Sequence, residues 1–300
     1  MKNNIIFSHV SLFTANLIYA LTFTIAKSVM PEYVAPIPFI LLRVTGAVLL
    51  FLLLNAFIKA PKIEKKDWWR IGLCGILGVA MNQMLFFKGL NYTSPINAAV
   101  VMTSTPVIVF IGALLLKQEY LNWKRVFGIL LGAGGAICII ALSKNTSLSS
   151  PKPGLGNLLV FINAMCYAGY LILAKPLMKK YNPLTIIKWS FIVGWVVVFP
   201  FGIGGIGDIE FTQLPSSIIW AILFVVVCTT FLAYLLNITA LKNLRASTVS
   251  FYIYLQPLLA SAFAIYQSSD KLSDLKIYAG LAIFLGVYLV SSSPKPIKNT

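Results

Sequence analysis

The sequence predicts an all-α membrane protein, with ten transmembrane helices in two inverted five-helix repeats around a central cavity. Three observations carry this expectation. The 300-residue chain is 59% hydrophobic and 11% charged, with a mean hydropathy of +0.87. Soluble domains carry about 25% charged residues, so this chain lacks the polar side chains to cover a water-facing surface. Its apolar runs reach the roughly 20 residues that span a bilayer core. Finally, the second half of the chain repeats landmarks of the first.

Apolar runs between charges and turn signals give spans at 8–29, 36–58, 70–90, 95–116, 125–143, 155–177, 184–203, 217–240, 246–267 and 276–293. The first is too long for a signal-peptide core, and Asn16, Tyr19 and Phe23 share one of its faces. The second holds Arg43. A centred arginine costs about 2.5–3.5 kcal/mol on insertion scales, so Arg43 is expected to brace helix carbonyls or to meet a substrate carboxylate. The third offers Asn82, Gln83 and Phe86.

The fourth span contains 21 uncharged residues, Ile96 to Leu116, interrupted by Thr103, Ser104, Thr105 and Pro106. Proline removes a helix hydrogen bond and kinks the rod. The carbonyl freed near Met102 then needs a donor, which the three hydroxyls are placed to supply. In the fifth span Gly128 and Gly132 form a GxxxG, which permits close helix approach. The sixth sets Asn163, Tyr167 and Tyr170 at i, i+4 and i+7. Lys175 at its end, and Lys188 in the seventh, are close enough to the membrane surface to snorkel. The eighth repeats the i, i+4, i+7 spacing with Thr230, Tyr234 and Asn237, and the ninth carries Tyr252, Gln256 and Pro257.

The repeat appears when Leu90–Val109 is set under Leu241–Ala260, a shift of 151 that puts Pro106 on Pro257, Gln83 on Tyr234 and Phe86 on Asn237. Gly128 and Gly134 match Gly280 and Gly286 at a shift of 152, and "YALTFTIAK" (Tyr19–Lys27) matches "YAGYLILAK" (Tyr167–Lys175) at 148. The units are 1–145 and 155–295, joined by a linker at 146–154. Each unit holds an odd number of spans, so the two must lie upside down to one another. Inverted repeats around a midplane site are a common architecture of secondary transporters.

The segment "KGLNYTSPINAAVVMTSTPVIVFIGALLLKQEYL" resembles the signature of the drug/metabolite transporter superfamily, in its EamA-type branch: a small-residue helix start, a mid-helix proline and an acid, Glu119, at the helix end. The second copy departs from it, with Gln256 before the proline and Asp270 at the end. The resemblance implies ten helices in a basket around a cavity, with the fifth helix of each half packed outside. It also implies transport, while specifying the substrate poorly; the expected function is carriage of small organic metabolites, amino acids or related compounds exported by alternating access. A nucleotide, nucleoside or sugar-conjugate carrier is the alternative on the same fold.

On this reading Asn16, Tyr19, Asn82, Gln83, Phe86, Thr103, Asn163, Tyr167, Tyr234, Asn237, Tyr252 and Gln256 line the cavity. Pro106 and Pro257 form its bends, and Arg43 is a candidate anion contact. No acid lies deep in a span, and His9, the single histidine, is expected at the interface. Carboxylate coupling is therefore not supported, and the acid–base clusters of a membrane enzyme are lacking. Cys74, Cys138, Cys166 and Cys228 lie in apolar runs without a CxxC and read as small hydrophobes; no metal or cofactor is expected. With the N-terminus in the cytoplasm, 17 Lys and Arg fall inside and 6 outside. That bias puts both termini in the cytoplasm of a multi-pass cytoplasmic-membrane protein. The net charge of +16 then belongs to loops; no basic stripe with interleaved aromatics suggests nucleic acid. The expected partners are the bilayer and a small-molecule substrate, with the chain a monomer or weak dimer.

Overall fold

In hydrocarbon every backbone polar group must be satisfied internally, which leaves helices or closed barrels as spanning structures. The computed structural model describes residues 2–57, 62–93, 95–142, 152–266 and 274–292, which contain helices and their connections and no strand. The helices are α1 (Lys2–Val29), α2 (Pro36–Ala56), α3 (Trp68–Gly75), α4 (Asn82–Tyr92), α5 (Pro95–Met102), α6 (Thr105–Leu115) and α7 (Trp123–Leu142) in the first half. In the second half they are α8 (Pro153–Leu177), α9 (Pro183–Gly202), α10 (Ser216–Phe224), α11 (Ala233–Asn243), α12 (Ala246–Phe251), α13 (Leu255–Tyr266) and α14 (Asp274–Ser292). Helix starts follow local chemistry. Pro36, Pro153 and Pro183 sit in the first turns, where the missing N–H costs nothing. Asn182 accepts the N–H of Leu184 at 3.0 Å as the cap of α9.

Nine helices among the described residues are long and apolar enough to cross a membrane. The span read at 246–267 is not one of them; there the chain runs as α12, a 3-10 turn at Tyr252–Tyr254, and α13. Pro257 has no N–H to offer the carbonyl of Ile253, and the chain tightens just before it. The span read at 95–116 breaks in the same way. α5 stops at Met102, Thr103 and Ser104 form a turn, and α6 restarts with Pro106 in its first turn. Pro106 thus begins a helix rather than kinking one.

Two further irregularities are π-helical: Ile76–Met81 joins α3 to α4, and Val225–Leu232 joins α10 to α11. In the second, Thr230 Oγ1 donates to the Val225 carbonyl, five residues back, at 2.7 Å.

α7 packs along α14, α4 along α8, α1 along α11 and α2 along α9. α6 also packs on α8, and α13 on α1. The α7–α14 contact is backbone-close: a Cβ on Gly286 would lie 2.7 Å from the Gly128 carbonyl oxygen, and one on Gly128 3.0 Å from that of Gly286. Gly132 also lies against Gly286, its backbone N 3.2 Å from a Cβ placed there, and in addition faces the Phe251 and Tyr254 rings. Hydrogen bonds tie the ends of partner helices, Asn243 Nδ2 to Ser8 Oγ at 2.9 Å and Thr93 Oγ1 to Asn157 Oδ1 at 2.7 Å.

Two charged residues, Lys175 and Glu119, tie separate elements together. Lys175 Nζ donates to the Leu241 carbonyl at 2.6 Å and to that of Leu244, capping the C-terminal end of α11. Glu119 pairs with Arg125 at 3.1 Å. It also accepts the backbone N–H and the hydroxyl of Ser247, in the first turn of α12. The side chains of Phe23 and Lys27, and Asp270, lie outside the described residues.

Candidate functional site

Helices from both halves enclose a cavity of about 110 Å³, several times the roughly 10–15 Å³ that one water requires. Ten of the twelve cavity residues named from the sequence line it: Asn16 and Tyr19 of α1, Asn82, Gln83 and Phe86 of α4, Asn163 and Tyr167 of α8, Tyr234 and Asn237 of α11, and Gln256 of α13. Arg43 of α2 joins them. α7 and α14 contribute no residue.

The polar groups hold one another in place. Gln256 Nε2 donates to Asn16 Oδ1 at 2.8 Å, and Asn16 Nδ2 to the Leu12 carbonyl at 2.8 Å. Asn237 Nδ2 donates to the Ala233 carbonyl at 2.9 Å and to the Tyr19 hydroxyl at 3.3 Å. Tyr234 donates to Asn82 Oδ1 at 3.1 Å, and Asn163 Nδ2 to the Asn82 carbonyl at 2.6 Å. The Tyr19 and Tyr234 rings meet edge to face at 6.4 Å. Some capacity is left over. Neither amide atom of Gln83, nor Asn163 Oδ1, has a well-formed hydrogen bond although both are buried. Unmet buried amides in a cavity wall are sites a ligand or water can satisfy.

Arg43 does not brace a carbonyl directly. Its Nε donates to Thr230 Oγ1 at 3.0 Å, the hydroxyl that holds the Val225 carbonyl of the π segment. Its guanidinium carbon lies 4.4 Å from the centre of the Phe87 ring and 5.7 Å from that of Phe39. The residue is 2% exposed, and Nη1 has no hydrogen-bond partner among the described residues.

Two sequence-named residues point elsewhere. Thr103 Oγ1 donates to the Val100 carbonyl at 2.6 Å and Ser104 Oγ to that of Val101 at 2.7 Å. The hydroxyls therefore serve the turn preceding Met102, not the carbonyl left by Pro106, and Thr105 Oγ1 has no partner among the described residues. Tyr252 lies in the 3-10 turn with its hydroxyl 2.7 Å from His9 Nδ1. His9 is accordingly half-buried and tied to this turn by a hydrogen bond. Tyr170, from the α8 face, packs its ring on Gly78 away from the cavity.

The sequence reading missed Thr22 and Thr229, whose hydroxyls meet at 2.7 Å across the cavity wall. Thr22 was available as the residue one turn beyond Tyr19. Thr229 was not, because α-helical spacing selects Thr230 and only the π segment changes which threonine faces inward. Phe87, Leu90, Met102, Val249 and Ile253 also line the cavity. In the sequence nothing separates them from lipid-facing neighbours.

Helices long and apolar enough to span a bilayer, around a small cavity walled by amides, phenols and rings, are the architecture of a membrane transporter for small molecules. Comparison with known proteins places the chain more closely. It belongs to the EamA-like transporter family, whose model matches residues 6–141 and 154–292. A transporter of Archaeoglobus fulgidus without an assigned substrate is 26% identical over 234 residues, covering 77% of this chain and 78% of its own. The transporter YyaM of Bacillus subtilis is 25% identical over 82% of this chain and 80% of its own. A WAT1-related protein of Arabidopsis thaliana is 25% identical over 91% and 79%. A solved crystal structure superposes with a TM-score of 0.74 over 95% of this chain and 96% of that one, at 16% identity, and so shares the fold.

Proposed function

We propose that the protein is a secondary carrier of small organic metabolites, amino acids or related compounds, exported across the cytoplasmic membrane by alternating access between two inverted repeats. The observation that carries this reading is that repeat-equivalent positions line one cavity: Gln83 with Tyr234, Phe86 with Asn237, and Tyr19 with Tyr167. A cavity shared by two halves in this way is what a rocking of one half against the other requires.

The packing supports the same reading. Exchanging the halves turns the α1–α11 contact into α8–α4 and the α6–α8 contact into α13–α1, while α2–α9 and α7–α14 map onto themselves. The irregular segments obey the exchange too. The π segments end at Met81 and Leu232, 151 residues apart, and the carbonyls facing Pro106 and Pro257 are those of Met102 and Ile253, again 151 apart. The family model matching twice, at 6–141 and 154–292, has the same form. Both termini then lie in the cytoplasm, in keeping with the Lys and Arg bias. No Asp, Glu or His is among the described cavity residues, which favours facilitated movement or exchange over proton coupling through a carboxylate.

The test is purified full-length protein in liposomes preloaded with amino acids and nucleosides. Accelerated efflux of at least one compound, absent from protein-free vesicles, is expected. No accelerated movement with the protein folded would reject the carrier reading.

A further inference from the structure

Arg43 is the one formally charged side chain in the described cavity wall. An arginine stays charged, and burying it without a counter-ion is expensive. No described Asp or Glu lies in the wall. The compensation that is present is partial: one hydrogen bond from Nε to Thr230 Oγ1, and the face of the Phe87 ring 4.4 Å away. Both hold the guanidinium still. Neither neutralises it, and Nη1 is left without a partner at 2% exposure of the residue. The fork that forms two parallel hydrogen bonds to a carboxylate is thus fixed at one edge and unused at the other.

Resting on the carrier reading above, we infer that Arg43 receives the carboxylate of the substrate, so that the transported class is small organic carboxylates, amino acids among them. The charge of the wall sets the class. One buried cation matches one monoanion, whereas a phosphate monoester dianion would leave an uncompensated negative charge in a site without a second cation. An ammonium group would find only neutral oxygens in the described wall, those of Gln83 and Asn163 among them. It is therefore tolerated rather than required. Phe86, Leu90 and Met102 supply the apolar surface for the remainder of the molecule.

The experiment uses proteoliposomes of the full chain and pairs of probes that differ in the carboxylate: leucine and leucinamide, phenylalanine and phenylalaninamide, and 3-phenyllactate and its amide, with adenosine as an uncharged control. The expected result is movement of the acids, with each amide roughly tenfold or more slower, and movement of 3-phenyllactate despite its lack of an ammonium. Arg43→Gln should slow the acids by a similar factor while its melting temperature stays at or above that of the wild type, because an uncompensated charge has been removed. If adenosine or the amides move as fast as the acids, the protein is a carrier and the Arg43 inference is overturned. If Arg43→Gln folds and still moves acids at the wild-type rate, the inference is equally overturned. Should no probe move, the carrier reading fails and the inference with it. If Arg43→Gln does not fold, the acid–amide comparison on the wild type decides alone.

Discussion

Glu119, on the connection after α6, accepts both the backbone N–H and the hydroxyl of Ser247 at the start of α12, while its other partner, Arg125, opens α7. One carboxylate therefore joins the end of one broken span to the beginning of the other. The ion pair is buried, with both side chains 3% exposed. Removing one member of such a pair strands the other charge and costs about 3–5 kcal/mol. Glu119→Ala should lower the melting temperature of the detergent-solubilised protein clearly, and Glu119→Gln by less, since an amide can still accept from Ser247. Unchanged melting of both variants would show the contact to be incidental.

Gly128 and Gly286 allow α7 and α14 to touch through their backbones. Gly286→Val should force these helices apart, with a destabilisation of about 1–3 kcal/mol. Gly134→Ala is the matched control. Nothing lies within 4 Å of the position, and alanine favours a helix over glycine by about 0.5–1 kcal/mol, so that variant should melt at or slightly above the wild-type temperature.

In the cavity, Tyr234→Phe deletes a hydroxyl bonded to Asn82 and should slow transport about two- to tenfold, the worth of one ordinary hydrogen bond. Gln83→Ala should do so as well. Leu281→Ala, on the exposed side of α14, should not. Initial rates in proteoliposomes compare the three directly, and equal effects would count against the cavity as the transport site.

Pro106→Ala and Pro257→Ala restore an N–H opposite the Met102 and Ile253 carbonyls. Straightening either break is expected to reduce transport several-fold without loss of folded protein, as judged by size-exclusion profile and melting. Wild-type rates in both would make the breaks purely structural.

Orientation can be read by cysteine labelling in intact cells. Lys65→Cys should be shielded from an external membrane-impermeant reagent and Asp208→Cys labelled. The native cysteines give little background, being buried or half-buried.

Much of this was legible in the sequence because lipid makes each polar residue conspicuous. Asn16, Gln83, Asn163 and Tyr234 stand out in apolar runs, and helical spacing alone sends them to one side. The limits of that reading have physical causes. Thr229 was hidden by a π segment, which shifts helical phase in a way no 3.6-residue period reports. Tyr252 was lost to a 3-10 turn, and Thr103 to its own preceding carbonyl. Arg43 was recognised as costly, but its partner Thr230 lies 187 residues away, and only the fold brings them together. The apolar lining, Leu90 or Ile253, carries no sequence mark, since a leucine facing a cavity and one facing a lipid tail look alike.

The π segments also bear on ancestry. A π turn encloses one residue more than an α turn, the register shift that one extra residue in a helix would leave. Here two such segments end at Met81 and Leu232, at the same step of each half. If the halves are copies, a single event before the gene doubled accounts for both, where separate events would have to strike the same place twice. The five-helix ancestor, which could have closed a cavity only by pairing with an inverted copy of itself, would then already have carried the irregular turn.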